Sequence, residues 1–186
     1  MSTEGGHDPL LPLLQGIAKG DHNLFRQLYD VTNQRLTVYL RRMLTNQEGI
    51  EDILAETYTQ IWKNAAGFKK QSRVLTWMIG ISRNLALKEI GKRRYHDDIQ
   101  DHPEIKAPPD NHDEATDRRK IMTSVLARLS VRQREILDLA FYQELSYKEI
   151  SLLLSIPENT VKSRVFYAKA ALKTELNKMG ISANDI

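Results

Sequence analysis

The sequence predicts an all-α protein in which two small helical domains are joined by a flexible acidic linker. Apolar residues recur at intervals of three and four along most of the 186-residue chain, and no stretch shows sustained alternation with a period of two. The formal net charge is only +3, but residues 1–23 sum to −2, 24–95 to +7, 96–117 to −7 and 118–186 to +5. Two basic blocks around an acidic one indicate two modules that bind a polyanion.

The composition excludes several classes of protein. The chain has 0 cysteines, which excludes disulfides, thiolate zinc sites and cysteine nucleophiles and fits a reducing cytosol. No apolar run approaches the ~20 residues that span a bilayer. The longest apolar cluster, at residues 10–14, contains Pro12 and lacks a basic region before it. We therefore expect no signal peptide, no membrane insertion and a cytoplasmic location.

Residues 1–20 are predicted to form an N-terminal tail and a short helix. Residues 1–9 are polar and contain glycine and proline, so we expect them to be frayed. The following apolar run predicts a helix from about residue 10 to 19, which ends at Gly20.

The first domain, residues 21–95, is predicted to be a bundle of three helices over about 23–44, 50–64 and 73–94. A basic loop precedes the third helix. The apolar face of the first helix is assigned to Leu24, Leu28, Val31, Leu36, Tyr39, Leu40 and Met43. That of the third helix is assigned to Leu75, Met78, Ile79, Ile81, Ser82, Leu85, Leu87 and Ile90.

Residues 96–117 are predicted to be the linker because they contain eight acidic residues, three prolines and little apolar surface. At ~3.3 Å per residue, these 22 residues extend to at most ~73 Å. Three histidines lie among the carboxylates, but their spacing on a proline-rich tether fits no preorganised metal site. They are His96, His102 and His112. We therefore predict no metal and no cofactor.

The second domain is predicted over residues 118–177, followed by a C-terminal tail over 178–186. Ser130 is a candidate N-cap, and residues 145–172 have the pattern of a helix-turn-helix. The face of its second helix that would contact bases and phosphates carries Glu158, Asn159, Thr160, Lys162, Ser163, Arg164 and Tyr167. The alternative is a helical hairpin whose polar face only meets water.

Three stretches together resemble the bacterial extracytoplasmic-function (ECF) sigma factors, the compact class that holds only sigma regions 2 and 4. They are EDILAETY at 51–58, TWMIGISRN at 76–84, and LSYKEI at 145–150 followed by TVKSR at 160–164. In order and spacing the resemblance covers about 150 of the 186 residues. Each stretch alone is a weaker signal than the three together.

The resemblance implies two contacts with core RNA polymerase. The helix at 50–64 resembles the surface that docks on the clamp helices of the β′ subunit, where Glu51, Asp52 and Glu56 would be the polar contacts. The alternative is that these acids only complement the positive end of the helix dipole. The resemblance also implies that region 4 contacts the β flap of the polymerase.

The resemblance also implies where promoter DNA binds. Region 4 would read the −35 element as duplex. The loop after the second helix would capture a flipped base of the single-stranded −10 element, for which Phe68, Lys69, Lys70, Arg73 and Asn84 supply an apolar surface, cations and an amide. The backbone phosphates would be held by Arg83, Lys88, Lys92, Arg93 and Arg94. Trp77 is either a stacking platform or a core residue, and its apolar neighbours favour the core.

Three positions depart from the family pattern. Ala55 stands where a glutamine is usual, Ser155 replaces the customary turn glycine, and Asn159 replaces a common glycine at the start of the recognition helix. If Ser155 has a positive φ, the substitution costs ~1 kcal/mol.

The implied function is promoter-specific transcription initiation by a non-enzymatic subunit, commonly held by an anti-sigma factor until a signal releases it. The −10 and −35 elements lie about 17 base pairs apart, or ~58 Å, which the linker can span. A stand-alone helix-turn-helix regulator that dimerises on duplex DNA is an alternative, but it leaves residues 24–95 without a role. A third is an interaction adaptor that uses the first domain only.

Overall fold

The computed structural model describes residues 8–44, 49–97 and 114–181, and within 92–97 and 114–120 it describes the helix backbone only. The chain divides into two compact units, one ending at Asp98 and the other beginning at Ile99. Both units are helical, and no strand occurs in the described ranges. The prediction of an all-α protein with two small helical domains is confirmed.

The described part of the first unit contains four helices and a 3-10 turn. These are α1 (Leu11–Ile17), α2 (His22–Met43), α3 (Ile50–Asn64), the turn Ala65–Gly67 and α4 (Val74–Asp97). α2 packs against the other three helices, and α3 also packs against α4. The three helices predicted for this domain are present, and the last extends to Asp97 rather than to residue 94.

Asp8 contradicts the expectation that residues 1–9 are frayed. Its carboxylate accepts hydrogen bonds from the backbone N–H of Leu10 at 3.0 Å and of Val74, the first residue of α4, at 2.6 Å. A carboxylate at a helix N-terminus satisfies N–H groups that have no partner within the helix. The segment before α1 is therefore attached to the bundle at Asp8. Residues 1–7 lie outside the described ranges.

On α2 the predicted apolar face is wrong at Val31, which is 58% exposed, whereas Thr32 is 1% exposed. Position 32 lies one helical turn from both Leu28 and Leu36, so it faces the same core. The Thr32 hydroxyl donates to the Leu28 carbonyl at 2.6 Å, and its oxygen lies 2.8 Å from the hydroxyl of Tyr58. Thr32, whose hydroxyl has its hydrogen bonds satisfied, is therefore buried in the core where Val31 was expected.

On α4 the predicted apolar face is wrong at Leu87, which is 40% exposed, while Ala86 is fully buried. The helical period aligns Ala86 with Ser82 and Met78, so the next residue turns outward. Ser82 is buried on the same face, and its hydroxyl keeps a hydrogen-bond partner because Oγ donates to the Met78 carbonyl at 3.1 Å.

The described part of the second unit contains four α-helices and a π-helical turn. These are α5 (Glu114–Ala127), α6 (Val131–Leu137), the turn Asp138–Tyr142, α7 (Tyr147–Leu154) and α8 (Glu158–Lys178). Helix therefore occupies residues 96–97 and 114–117 of the segment predicted as linker. Residues 98–113, with His102 and His112, lie outside the described ranges.

Two capping boxes set the starts of α6 and α7. Ser130 Oγ accepts from the Gln133 N–H at 3.3 Å while the Ser130 N–H donates to Gln133 Oε1 at 3.0 Å. Ser146 and Glu149 form the same reciprocal pair before α7. Each box satisfies two N–H groups at the helix start. The predicted N-cap at Ser130 is confirmed.

Tyr58 gives the first unit a pH-dependent stability. Burial raises its pKa to about 12, although the Thr32 hydrogen bond lowers the pKa, and the nearby Tyr29 adds to the rise. The folded state therefore favours the neutral phenol. This stabilisation is complete below pH ~10 and is lost as the pH rises towards 12.

We expect the free energy of unfolding to fall by about 2 to 3 kcal/mol more in the wild type than in Tyr58→Phe between pH 10 and 12. Urea unfolding followed by tryptophan fluorescence measures it, because both tryptophans, Trp62 and Trp77, belong to the first unit. Parallel pH profiles for the two proteins would contradict the role of the buried phenol.

Candidate functional site

Three surfaces of the described chain carry the residues that the sequence singles out. The recognition face is the side of α8 away from the core of the second unit. The loop surface consists of residues 68–73 and the outer side of α4. The aromatic groove lies between α2 and α3. The last two surfaces belong to the first unit.

The recognition face is set by what α8 buries. Val161, Val165 and Ala168 are at most 3% exposed and face inward at helical spacing. On the remaining sides of the helix, Thr160 is half-buried. The other predicted contact residues are exposed, namely Glu158, Asn159, Lys162, Ser163, Arg164 and Tyr167. Ser163 Oγ donates to the Asn159 carbonyl at 3.0 Å, which leaves its oxygen lone pairs as acceptors.

The turn between α7 and α8 fixes how the recognition face is presented. Ser155 has φ 53° and ψ 46°, so the positive φ considered from the sequence is confirmed. Ser151 Oγ donates to the Ile156 carbonyl at 2.5 Å, and the Ile156 N–H returns a bond to the Ser151 carbonyl at 3.1 Å. The side chain and backbone of Ser151 therefore close the turn by hydrogen bonding.

Phe166 is a residue of the recognition face that the sequence prediction missed. It is 68% exposed, and its ring meets that of Tyr167, itself 67% exposed, edge to face at 5.5 Å between centroids. Its position, one turn after Lys162 and Ser163, places it on the same side as these residues. The sequence could have indicated Phe166, because a large apolar residue at an outward position of a polar helix face is typical of a binding surface.

The loop surface combines cations with a pair of aromatic rings. Lys69, Lys70 and Arg73 are exposed, and Lys70 has a φ of 55°. Phe68 is half-buried against Trp77, with ring centroids 5.2 Å apart and planes tilted by 50°. Trp77 is itself half-buried. It is therefore neither a fully buried core residue nor a fully exposed stacking platform.

The outer side of α4 extends the loop surface from this aromatic pair. Asn84 is exposed and lies two turns after Trp77 on the same side of the helix, with Gly80 between them. Arg83 is half-buried and Lys88 is exposed. The backbone of α4 continues through Lys92, Arg93 and Arg94, whose side chains lie outside the description.

The aromatic groove has a volume of about 880 Å³. Its rings contact one another: His22 stacks on Trp62 at 4.5 Å, Phe25 meets Trp62 edge to face at 5.2 Å, and Tyr29 lies 4.7 Å from Tyr58. The full lining is His22, Phe25, Tyr29, Asn33, Thr37, Arg41, Ile50, Glu51, Leu54, Ala55, Tyr58, Thr59 and Trp62. The sequence prediction missed this groove, although the spacing of Phe25 to Tyr29 and of Tyr58 to Trp62 matches one helical turn in each helix.

The three acids predicted as polymerase contacts lie differently with respect to the groove. Glu51 lines it, whereas Asp52 and Glu56 are exposed on α3 outside its lining. Glu56 accepts a hydrogen bond from Gln60 Nε2 at 3.1 Å. Ala55, where the family pattern has glutamine, also lines the groove, so the missing amide leaves apolar surface there.

Burial also affects a charged side chain behind the recognition helix. Arg134 on α6 is 8% exposed, and desolvation lowers the pKa of its guanidinium.

No group of histidine and acidic residues that could hold a metal ion occurs in the part of the chain that the structure describes. Among the same residues, no helix is long and apolar enough to cross a membrane.

Two family models match the chain, one in each unit. The model described as Sigma-70 region 2 matches residues 28–95, and the model described as Sigma-70, region 4 matches residues 119–172. The first includes the loop surface and all of the groove lining except His22 and Phe25. The second includes the whole recognition face.

Similar proteins and structures agree with these matches. The ECF RNA polymerase sigma factor SigL of Mycobacterium tuberculosis is 28% identical over 91% of this chain and 98% of its own length. The ECF sigma factor SigK of Mycobacterium bovis is 27% identical over 89% of this chain and 92% of its own.

Two solved structures share the fold at low identity. The sigma factor RpoE of Bartonella quintana, in complex with the anti-sigma factor NepR, has a TM-score of 0.73 and 22% identity over 82% of this chain and 96% of its own. CnrH, in complex with the cytosolic domain of CnrY, has a TM-score of 0.67 and 19% identity, and the match covers 90% of this chain and 97% of CnrH.

Replacing Ser155 by glycine should stabilise the second unit. The change removes the strain of a left-handed conformation at a residue with a side chain, so we expect about 1 kcal/mol of added stability. Hydrogen exchange of the amides in α7 and α8 measures the effect in the full chain, with Ser124→Gly in the exposed part of α5 as a destabilising control. Unchanged or faster exchange in Ser155→Gly would contradict the strain argument.

Proposed function

The chain belongs to the ECF group of RNA polymerase sigma factors, and from this premise we propose which of its surfaces bind polymerase and which bind each promoter element. As a sigma factor it directs promoter-specific initiation of transcription. The observation that carries the assignment of surfaces is their division between the units: one unit has a recognition helix, and the other has both a groove and a basic aromatic loop. A stand-alone duplex binder would use only the recognition helix.

The aromatic groove is the proposed docking site for core polymerase, through the β′ clamp helices. Tyr29 is 41% exposed, and exposed aromatic side chains are typical anchors at protein interfaces. A groove between two helices suits the apolar side of a partner helix. Glu51 would contribute a charged contact inside the groove, and Asp52 and Glu56 would contribute at its rim, where charges steer association more than they hold it.

The loop surface is the proposed site for the melted −10 element. An unpaired base needs a ring on which to stack, and Phe68 with Trp77 offers partly exposed rings at this place. The amide of the exposed Asn84 can hydrogen-bond a base edge. Lys69, Lys70, Arg73, Arg83, Lys88, Lys92, Arg93 and Arg94 are proposed to hold the phosphate backbone.

The recognition face is the proposed reader of the −35 duplex. Lys162 and Arg164 supply cations, while Glu158, Asn159, Thr160 and Ser163 can exchange hydrogen bonds with base edges in a major groove. Tyr167 lies at the flank of the same helix, where its hydroxyl suits a phosphate. Phe166 adds an apolar contact of the kind that a thymine methyl group accepts.

Further partners and the place of action follow from the same premise. We assign the β flap to the second unit, where Phe141 on the π-helical turn is exposed beneath the Lys169 ammonium group. An anti-sigma factor is proposed because the similar structure of RpoE is a complex with the anti-sigma factor NepR. The protein itself has no catalytic role, since polymerase makes the bonds, and it acts in the cytoplasm where polymerase and promoter are.

Run-off transcription with core polymerase and a library of random promoter fragments tests the function. The protein should convert core polymerase into an enzyme that starts from a common pair of elements. Tight duplex binding without core and no initiation would instead favour a stand-alone regulator.

The variant Tyr29→Ala tests the groove in a binding assay with core polymerase. Val31→Ala on the same helix is the matched control, because Val31 is exposed outside the groove lining. We expect Tyr29→Ala to weaken the affinity for core polymerase about tenfold, the effect of losing an interface anchor, and Val31→Ala to leave it unchanged. Equal affinities for the two variants in fluorescence anisotropy would place the polymerase contact elsewhere.

Asn84 and Lys88 separate base contacts from phosphate contacts on the loop surface. Asn84→Ala should relax selectivity at one −10 position, at a cost of about 1 to 3 kcal/mol on the preferred base. Lys88→Ala should weaken binding of all −10 sequences alike and reduce the salt slope by about 1. Initiation rates on single-base −10 variants at several salt concentrations distinguish these effects. An unchanged base preference in Asn84→Ala would remove the amide from the −10 site.

A further inference from the structure

Asp8 connects two helix starts that are far apart in the sequence. Its Oδ1 accepts from the Leu10 N–H at the beginning of α1, and its Oδ2 accepts from the Val74 N–H at the beginning of α4. The second contact crosses 66 residues of sequence and measures 2.6 Å. Asp8 lies outside the residues 28–95 that match the region 2 family model.

The N-terminal segment, which consists of Asp8 and α1, contacts the chain on both sides of the loop at 68–73. It packs against the 3-10 turn Ala65–Gly67, which directly precedes the loop, and it buries Leu14 and Ile17 in the first unit. The Asp8 carboxylate then holds the N–H of Val74, which directly follows the loop. The N-terminal segment therefore holds the loop at its start and at its end.

The chemistry of this contact suits a fixed attachment. The N–H groups of a first helical turn have no partner within the helix, and a carboxylate is favoured there by the helix dipole. Hydrogen bonds to an ionised acceptor are shorter and stronger than neutral ones. The loop between the two attachments needs such support, because Lys70 has a left-handed φ of 55°, which is strained for a residue with a side chain.

We propose that Asp8 is a positioning residue for the −10 element: by holding both ends of the loop with α1, it keeps Phe68 against Trp77 and the loop cations in the geometry that accepts an unpaired base. This inference rests on the proposed function of the loop surface. Asp8 touches no DNA itself. Its loss acts through the loop, so it changes how −10 sequences are distinguished rather than whether −35 duplex is bound.

Asp21 is the matched control, because it is a cap of the same kind in the same unit. Its carboxylate accepts from the Asn23 and Leu24 N–H groups at 2.9 and 3.1 Å at the start of α2, and these bonds do not involve the loop. Asp8→Ala and Asp21→Ala each remove two backbone contacts of a carboxylate. They differ in whether the loop loses its attachment.

The experiment uses the full chain with core polymerase and a promoter library that is randomised only at the −10 element. Sequenced transcripts give the preference for each −10 base. Asp8→Ala should reduce the preference for the best base several-fold, because the loop loses an attachment made by a charge-assisted hydrogen bond. Asp21→Ala should keep the wild-type preference within about twofold, although its yield falls as the unit is destabilised.

Equal −10 preferences for Asp8→Ala and Asp21→Ala would overturn the proposal and leave Asp8 as a structural cap. If Asp8→Ala does not fold, Asp8→Asn and Asp21→Asn make the same comparison, since asparagine retains one oxygen and loses the charge. No promoter-specific transcript from the wild type would instead contradict the proposed function. The two failures are thus distinguishable.

Discussion

The first unit depends on the contact of Tyr58 with Thr32 where α3 crosses α2. The Tyr58 hydroxyl lies 2.8 Å from Thr32 Oγ1 inside the core, while the same ring lines the groove and meets Phe25 and Tyr29. One side chain therefore fixes the helix pair and lines the groove that is proposed to dock core polymerase. The hydrogen bond is what allows a polar group to be buried at this crossing, because an unpaired hydroxyl there would destabilise the fold.

The binding surfaces consist of side chains that ordinary packing would bury. Phe68 and Trp77 are half-buried together, Tyr29 is 41% exposed and Phe166 is 68% exposed. Exposed aromatic side chains gain nothing in water and become favourable when a base or a protein covers them. Each unit carries a basic block, residues 24–95 in the first and 118–186 in the second. In the proposed function one unit binds single-stranded DNA and the other duplex, and their covalent linkage raises the effective concentration of each for the same promoter.

Much of the fold follows from the sequence because helical periodicity and capping residues act locally. α3 and the N-cap of Ser130 agree with the prediction at residue level. The failures are tertiary. Thr32 replaces Val31 in the core because Tyr58 satisfies it from another helix, and Asp8 is ordered by Val74, 66 residues away. The groove was missed for the same reason, since its rings belong to two helices whose relative register no local pattern reveals.

The proposed assignment of surfaces implies that this protein opens promoter DNA only together with core polymerase. Permanganate reactivity of thymines in the −10 non-template strand tests it most directly, because permanganate attacks unstacked thymines. On a promoter selected from random fragments, we expect reactive −10 thymines with protein and core together and none with either alone. Reactive thymines with the protein alone, or an unreactive −10 element when both are present, would contradict the account.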